Sequence, residues 1–212
     1  MIKAGVKYIL DSAKKTQGNY ANSVTQGYEA HSATQGDRAH SVTQGNYAHS
    51  VTQGNYANSA TQGNYANSVT QGYGAHSVTQ GYEAHSATQG NEAHSATQGD
   101  RAHSVTQGNY AHSVTQGNYA HSATQGNYAN SVTQGYGAHS SVKGQAAIAA
   151  AFGKGSMAKG AKDCWIVLTE RADWDGKTFP IKCVKAFKVD GKKIKADTFY
   201  KLENGEAVEV KE

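Results

Sequence analysis

From Thr16 to about residue 160, the chain repeats a nine-residue unit with the consensus A-H-S-V-T-Q-G-N-Y, numbered here as positions one to nine. Positions one, three, five and seven are almost always Ala, Ser, Thr and Gly, whereas positions two, four, eight and nine vary. Alternation with a period of two predicts a β-strand whose faces see different surroundings, and the glycine with its polar neighbours predicts a turn. Each nonamer is therefore expected to form one short strand and one corner.

The inward face can be predicted where the repeat decays. Lys143 stands at position six, while Ile148 and Phe152 replace the usual residues at positions two and six of a later unit. Small residues nevertheless persist at positions one, three and five, and a lysine is unsuited to a narrow dry interior. We therefore expect positions one, three and five to point inward and positions two, four and six to point outward.

One nine-residue unit cannot close a coil, so two units (18 residues) per coil is the simplest arrangement, with three units as the rival. The repeats contain Ala and Val where a globular core would hold Leu, Ile and Phe, which predicts a narrow rod rather than a thick interior. About eight coils with strands ~4.8 Å apart would give a rod roughly 40 Å long. The expected fold is all-β: a narrow β-solenoid over residues 16–160.

Residues 1–15 place apolar side chains at helical spacing and lysines on the other side, which predicts a short amphipathic helix. Its expected role is a cap over the first coil, because a stack of strands otherwise ends in an exposed sheet edge. A helix lying on a membrane surface is the alternative.

Residues 161–212 differ in kind, because apolar runs alternate there with Asp175-Gly176, Asp190-Gly191 and Asn204-Gly205, dipeptides that favour tight hairpins. Four or five antiparallel strands are expected to form a small β domain that packs on the last coils. Ile148 and Phe152 are expected to form the apolar surface against which it packs. The bulky residues expected in its core are Trp165, Ile166, Leu168, Phe179, Ile181, Val184, Phe187, Val189, Ile194, Phe199, Tyr200 and Leu202.

The array records a duplication. Units whose positions eight and nine read YE, DR, NY, NY, NY, YG from Tyr28 recur from Tyr82 with one extra nonamer, residues 91–99. With two units per coil, that insertion would move every later unit to the opposite face of the rod. Its tolerance suggests that the two faces are nearly equivalent.

Charge and composition narrow the function classes. The net charge is +4, and Lys and Arg concentrate near both ends, so the continuous basic stripe of a nucleic-acid-binding surface is missing. The sequence has neither an apolar run of 18 residues nor a signal-peptide h-region, so no membrane span is expected. A virion, a cell surface reached by a non-classical route and a host cytoplasm all remain open as locations. Cys164 and Cys183 fit either two free thiols or one bridge.

All ten histidines occupy position two, and four asparagines, Asn22, Asn58, Asn67 and Asn130, stand there instead. Neighbouring coils would bring histidines of one face to roughly 5 Å, close enough to share a transition metal. Asparagine replaces histidine freely, however, and no Cys or carboxylate recurs beside it, so we expect a hydrogen-bonding column and no metal or cofactor. The stacked imidazoles should have depressed pKa values. The column comprises His31, His40, His49, His76, His85, His94, His103, His112, His121 and His139.

Tyrosines recur at the predicted corners, where exposed aromatic edges could stack on sugar rings or simply stiffen the turns. Those at position nine that we include in a candidate binding surface are Tyr47, Tyr56, Tyr65, Tyr110, Tyr119 and Tyr128. Catalysis is not expected, because the adjacent Ser and His of each strand point to opposite faces and no phosphate-binding loop or nucleophile elbow occurs.

The nonamers followed by "CWIVLTER" and "KVDGKKIKADTFYKLENGEAVEV" resemble a group of largely uncharacterised bacterial and prophage repeat proteins with a short β tail. The resemblance covers most of the chain and implies no established activity. More distantly, the glycine rhythm is similar to the head repeats of trimeric autotransporter adhesins, whose repeats are shorter.

Three hypotheses for function follow. The first is a non-enzymatic binding or adhesion module, on a phage fibre or a cell surface, that presents His, Val, Gln and Tyr columns to a protein or glycan ligand. The second is a structural spacer, and the third is a phage-encoded protein that binds and inhibits a host factor. The outward valine column fits either a solvated monomer surface or a face buried in a dimer or trimer.

Overall fold

The computed structural model describes residues 14–210 and contains only strands and turns. The strands of the repeat array share the sequence N/H-S-V/A-T-Q with few departures, and the last four belong to the tail. The strands are β1 (Lys14–Gln17), β2 (Asn22–Gln26), β3 (His31–Gln35), β4 (His40–Gln44), β5 (His49–Gln53), β6 (Asn58–Gln62), β7 (Asn67–Gln71), β8 (His76–Gln80), β9 (His85–Gln89), β10 (His94–Gln98), β11 (His103–Gln107), β12 (His112–Gln116), β13 (His121–Gln125), β14 (Asn130–Gln134), β15 (His139–Lys143), β16 (Ile148–Ala151), β17 (Met157–Gly160), β18 (Trp165–Arg171), β19 (Ile181–Lys188), β20 (Tyr200–Glu203) and β21 (Glu206–Glu209).

Successive strands of the array alternate between two parallel sheets. The odd-numbered strands β1 to β17, followed by β20 and β21, form an 11-stranded sheet, and the even-numbered strands with β18 and β19 form a 10-stranded sheet. Residues 18 apart pair in register, as His94 does with His112. Two nonamers therefore make one coil, which confirms a β-solenoid of about eight turns and excludes the three-unit alternative. The outer surfaces of the two sheets are named here the eleven-strand face and the ten-strand face.

The inward and outward positions agree with the sequence prediction. In the unit that contains β11, Ala102, Ser104 and Thr106 are fully buried at positions one, three and five, while Val105 at position four is exposed. The same alternation of buried and exposed residues runs through the strands from β4 to β14. The interior is thus filled by methyl and hydroxymethyl groups, and the outward positions carry the variable residues.

Glycine at position seven lets consecutive coils approach each other. Gly108 has a φ of 150°, and a Cβ added to it would overlap the carbonyl oxygen of Gly90, one coil below. The amide of Gly90 itself donates a hydrogen bond of 2.8 Å to the carbonyl of Gln107 in the coil above. Backbone therefore packs directly on backbone at each corner, which explains why position seven does not vary from unit to unit.

The corner also needs a left-handed residue at position nine. The amide of Ala102 donates to the carbonyl of Gly99 at 3.2 Å, which closes a four-residue turn. Arg101, the residue before the alanine, has a φ of 56°, and Tyr110 in the next unit has a φ of 58°. Such residues cost about 1–2 kcal/mol each relative to right-handed conformations. The repeated hydrogen bonds between coils must offset this cost, because position nine is rarely glycine.

The two sheets are joined by a continuous chain of serine hydroxyls. Each position-three serine donates to the serine nine residues earlier, on the opposite sheet, over distances of 2.7–2.9 Å from Ser140 back to Ser23. The threonines behave differently. The hydroxyls of the position-five threonines from Thr25 to Thr115 are buried without a hydrogen-bond partner among the described residues.

Residues 14–210 contain no helix, so the expected capping helix receives no support. Its last two residues, Lys14 and Lys15, belong to strand β1, and the remainder of residues 1–15 lies outside the described part of the chain. Lys14 and Lys15 form a strand rather than the end of the expected helix because they pair in parallel with Ser32 and Ala33 of β3.

The tail extends both sheets of the solenoid. Strand β18 pairs in parallel with β16 and antiparallel with β19, while β20 pairs antiparallel with β17 and β21. The turn at Gly205 joins β20 to β21 of the 11-stranded sheet and contacts the 10-stranded sheet. Its amide donates to Glu170 of β18, and its carbonyl accepts from Lys185 of β19. The tail thus ends each sheet with an antiparallel strand.

The tail core is smaller than its sequence suggests. Ile166, Leu168, Val189, Ile194, Tyr200 and Leu202 are buried with Val142 and interior alanines of the last coils. The prediction was wrong for Trp165, Ile181 and Val184, which are exposed because they lie on the outer surface or on the free edge of the ten-stranded sheet. It was also wrong for Ile148, which is 40% exposed on that same outer surface.

The contrast between the serine and threonine columns gives a matched pair of substitutions. Ser104→Ala removes bonds of 2.8 Å to Ser95 and 2.7 Å from Ser113, leaving buried hydroxyls unpaired. We expect it to lower the free energy of unfolding by about 1–3 kcal/mol in chemical denaturation. Thr106→Val should leave that free energy unchanged or raise it, as the natural Val142 at position five suggests. Equal losses from both substitutions would contradict this account of the interior.

The glycine corners give a second matched pair. Gly108→Ala would drive a methyl group into the Gly90 carbonyl, so we expect a loss of about 3 kcal/mol or more, or failure to fold. Gly155→Ala is the control, because Gly155 also has a left-handed φ of 65° but an added Cβ meets no described atom within 4 Å. Its expected cost is only the conformational ~1–2 kcal/mol. Thermal melts that do not separate the two variants would refute the proposed contact between corners.

Candidate functional site

Position two forms one column on each face, because units alternate between the sheets. The eleven-strand face carries six of the histidines in order along the rod, interrupted once by Asn67, and the ten-strand face carries the other four. On the eleven-strand face they are His31, His49, His85, His103, His121 and His139. On the ten-strand face they are His40, His76, His94 and His112.

Imidazole rings one coil apart are stacked on one another. The centroids of His85 and His103 lie 4.9 Å apart, those of His103 and His121 lie 4.8 Å apart, and both pairs are within 3° of parallel. On the ten-strand face, His76 and His94 stack at 4.8 Å and 4°, and His94 and His112 stack at 5.0 Å with a larger angle of 20°. The predicted spacing of about 5 Å is thus confirmed, and the longest uninterrupted run lies on the eleven-strand face.

Burial, and then the neighbouring imidazoles, lower the pKa values of four histidines in these columns and so favour their neutral form. Partial burial lowers the pKa of His103, and the neighbouring His121 and His85 lower it further, while Glu83 at the corner opposes the shift. Burial, followed by the flanking imidazoles, also lowers the pKa of His94. A neutral imidazole both donates and accepts hydrogen bonds, so the columns offer alternating polar groups to a ligand at neutral pH.

Asparagine is accommodated in the column, but its side chain makes hydrogen bonds of its own within the rod. The amide nitrogen of Asn130 lies 3.2 Å from Nδ1 of His112, and the side chain of Asn67 donates to the Tyr65 carbonyl at 2.9 Å. Within residues 14–210, no three or more His, Cys, Asp or Glu side chains are grouped so as to hold a metal ion.

The tyrosines form ladders along the corners. Tyr47 and Tyr65 stack at 5.0 Å and 6°, and Tyr110 and Tyr128 stack at 5.2 Å and 9°. Tyr56 and Tyr119 instead make edge-on contacts with tyrosines at position eight of the next coil. Where the rings stack, their faces are covered by each other and mainly their edges and hydroxyls meet solvent. This arrangement favours stiffening of the corners over stacking on sugar rings.

The histidine column on the eleven-strand face ends against the tail. The rings of His139 and Phe199 lie 5.2 Å apart, and the ammonium group of Lys159 sits 4.2 Å from the centre of the Phe199 ring. Sequence reasoning placed Phe199 in the tail core, but it is half-buried here. The position of Phe199 depends on the antiparallel pairing of Tyr200 with β17, which the repeat pattern does not predict.

A shallow groove of about 200 Å³ runs beside this end of the column. Outward residues at positions four and six of the last odd-numbered repeat strands line it, and the tail closes it. The lining side chains include Val105, Ala123, Ser141, Gln107, Gln125, Lys143, Lys159 and Asp197. An apolar floor, amide walls and two lysines can hold an extended chain that carries polar or acidic groups.

A cleft of about 360 Å³ lies at the opposite corner of the last coils and contains Glu170 and Arg171. Both side chains are occupied by the fold. Arg171 donates to the carbonyls of Phe152 and Phe179, and Glu170 accepts from the Gly205 amide, the contact that lowers the pKa of its carboxyl group most. These groups position the tail hairpin, so we do not place the candidate site there.

The two cysteines are free thiols. Cys164 is buried and donates to the carbonyl of Gly144 at 3.0 Å, and burial raises the pKa of its thiol. Over the part of the chain that the structure describes, no helix has the length and apolar character needed to cross a membrane.

Comparisons with protein-family models, curated proteins and solved structures found no significant match to this chain. The candidate site is therefore defined by geometry alone: the histidine column of the eleven-strand face, the valine and glutamine columns beside it, and the groove at its tail end.

The histidine columns predict a loss of stability in mild acid. Because the folded-state pKa values of His49, His94, His103 and His121 lie below the ordinary value of ~6.5, the unfolded chain takes up more protons as the pH falls. Stability should be fully present above that value and decline as the pH drops through and below it. The melting temperature should therefore fall between pH 7.5 and pH 5.

The control is a variant in which His85, His103 and His121 are replaced by Asn, the natural alternative at position two. Its melting temperature should depend less on pH over the same range. A wild-type melting temperature that stays flat or rises toward pH 5 would rule out the neutral stacked column.

Proposed function

We propose that this protein is a non-enzymatic binding or adhesion module, on a phage or prophage-associated fibre or surface, that holds an extended polymeric ligand on its eleven-strand face. The observation that carries the proposal is the register of the coils. Chemically identical groups recur once per coil, with imidazoles 4.8–4.9 Å apart from His85 to His121. The resemblance of the tail motif to prophage repeat proteins supports the proposed setting.

Repetition supports binding through many weak contacts. A single exposed hydrogen bond contributes only about 0.5–1.5 kcal/mol, but a polymer that matches the coil repeat would make the same contact on each coil it crosses. Once the first contact forms, each further one is intramolecular and gains from high effective concentration. Because the array is already rigid, the free energy of binding is not reduced by the need to order the protein surface.

The ligand class follows from the groups displayed. Imidazole and carboxamide side chains donate and accept hydrogen bonds, the valine and alanine file offers an apolar strip, and Lys143 and Lys159 meet acidic groups near the tail. These groups suit a repetitive polysaccharide with hydroxyl and acidic substituents, or an extended repetitive protein segment. The covered ring faces in the stacked tyrosine ladders make the flat face, rather than the corners, the favoured surface.

The test is binding to immobilised bacterial surface polysaccharides and repetitive peptides on an array. His103→Asn together with His121→Asn should lower apparent affinity about tenfold or more, because two adjacent contacts in the longest run are changed while asparagine keeps the fold. His40→Asn is the matched control, since His40 lies on the ten-strand face between Asn22 and Asn58. That change should alter affinity less than twofold.

A structural spacer is the second candidate, and the direct contact between glycine corners favours it because it makes the rod stiff. If His103→Asn with His121→Asn binds as wild type, or if no probe binds at all, the binding proposal fails. A function that then depends on the number of coils and not on the outward residues would establish the spacer.

A further inference from the structure

The ten-strand face differs from the eleven-strand face in charge. From β4 to β14 its outward positions two, four and six hold only His, Asn, Val, Ala and Gln. The position-four column holds only Val and Ala from Val42 to Val132, and the next residue in it, Ala150, is buried. On the eleven-strand face, the corresponding columns end in Ser141, Lys143 and Lys159.

The tail makes the ten-strand face more apolar still. Ile148 and Trp165 are register partners on β16 and β18, and they are 40% and 43% exposed on this surface. Val184, two strands beyond Ile148's strand, is exposed as well. Lys188 on β19, a charge near this patch, pairs with Asp163 at 3.2 Å. Exposed apolar residues in a continuous file and end patch are typical of an interface.

We propose that the ten-strand face binds a second copy of this chain, forming a homodimer of two parallel rods related by a two-fold axis along the rod. The occupant is a second copy because the face is self-complementary. Under this symmetry the apolar position-four files meet each other, and the position-two column of each copy meets the position-six glutamine column of the other. Imidazole and carboxamide groups each donate and accept, so those columns satisfy one another.

The apolar end patch sets the direction of the rods. In the parallel arrangement, Ile148 of one copy, at position two, lies at the level of Phe152, at position six, of the other copy, so apolar side chains meet. An antiparallel arrangement would place them against the polar strand β2, whose outward positions include Asn22 and Gln26. Burying large apolar side chains against each other is favourable at about 25 cal/mol per Å², whereas covering them with amides is not.

Charges at the corners support the same arrangement. Glu92 precedes strand β10 and Arg101 follows it, so the two residues stand at opposite ends of one strand. Arg101 already pairs with Glu83 of its own chain at 3.4 Å, and a two-fold axis along the rod adds Glu92 of the other copy as a second carboxylate on its side, twice per dimer. In antiparallel rods, Glu92 and Arg101 would instead face residues of other coils.

The area is sufficient for a stable dimer. Eight strands from β4 to β18 at ~4.8 Å spacing, each ~17 Å long, present roughly 650 Å² per copy and about 1,300 Å² in total. Stable interfaces between proteins bury about 1,200–2,000 Å². This inference is independent of the proposed ligand, which occupies the eleven-strand face.

Light scattering on a matched pair of variants tests the surface. Val78 on the ten-strand face and Val105 on the eleven-strand face are both 54% exposed. The wild-type chain should show twice its 22.4 kDa mass, Val78→Lys should halve that mass, and Val105→Lys should leave it unchanged. A wild-type monomer across the concentration range, or loss of the dimer in Val105→Lys alone, would overturn the proposal.

Cross-linking with a short bis-maleimide in a Cys183→Ser background tests the direction, because thiols on facing sheets ~10 Å apart are too distant for a direct disulfide. Val42→Cys and Val114→Cys lie four coils apart, ~19 Å along the rod, so only parallel rods bring each engineered thiol to its own copy. Both single variants should form covalent dimers with the cross-linker, whereas Val51→Cys on the eleven-strand face should not. A covalent dimer that forms only when the two single variants are mixed would indicate antiparallel rods and refute the arrangement.

Discussion

The whole structure depends on backbone contact between successive corners. The corner glycines of adjacent coils lie so close that a single methyl group on Gly108 would overlap the carbonyl of Gly90. Because that contact recurs through the array, each coil repeats the position of the previous one. The pairing of residues 18 apart, the serine chain between the sheets and the outward columns all follow from this fixed step.

The corner constraint also explains how an interior of such small residues is sufficient. A rod this narrow buries little apolar area per residue, so its stability cannot depend on large side chains. Hydrogen bonds between coils, together with the serine chain, repeat with every unit instead. Stability in such arrays is a sum of near-identical terms between neighbours. Among residues 14–210, the tail supplies a conventional core of larger side chains around Ile166 and Leu168, at the end where the repeats stop.

Local rules made the repeat array predictable from sequence. The alternation of small and variable residues identified the buried face, and Lys143 with Ile148 identified the outward positions correctly. The tail was less predictable, because the exposure of Trp165 and Val184 depends on which sheet each strand joins. The His139 and Phe199 contact was missed for the same reason, since it requires the pairing of β20 with β17.

Residues 91–99 form the extra nonamer that has no counterpart in the first copy of the duplicated sequence. The strands on either side of it keep the same register, so the rod accommodates the insertion. In consequence Asp37-Arg38 and its later counterpart Asp100-Arg101 occupy opposite edges of the rod. Gain or loss of an even number of units changes only the length of such a molecule. An odd number exchanges the surfaces presented by everything downstream, so recombination among the repeats can redistribute side chains between two sides without creating any new residue.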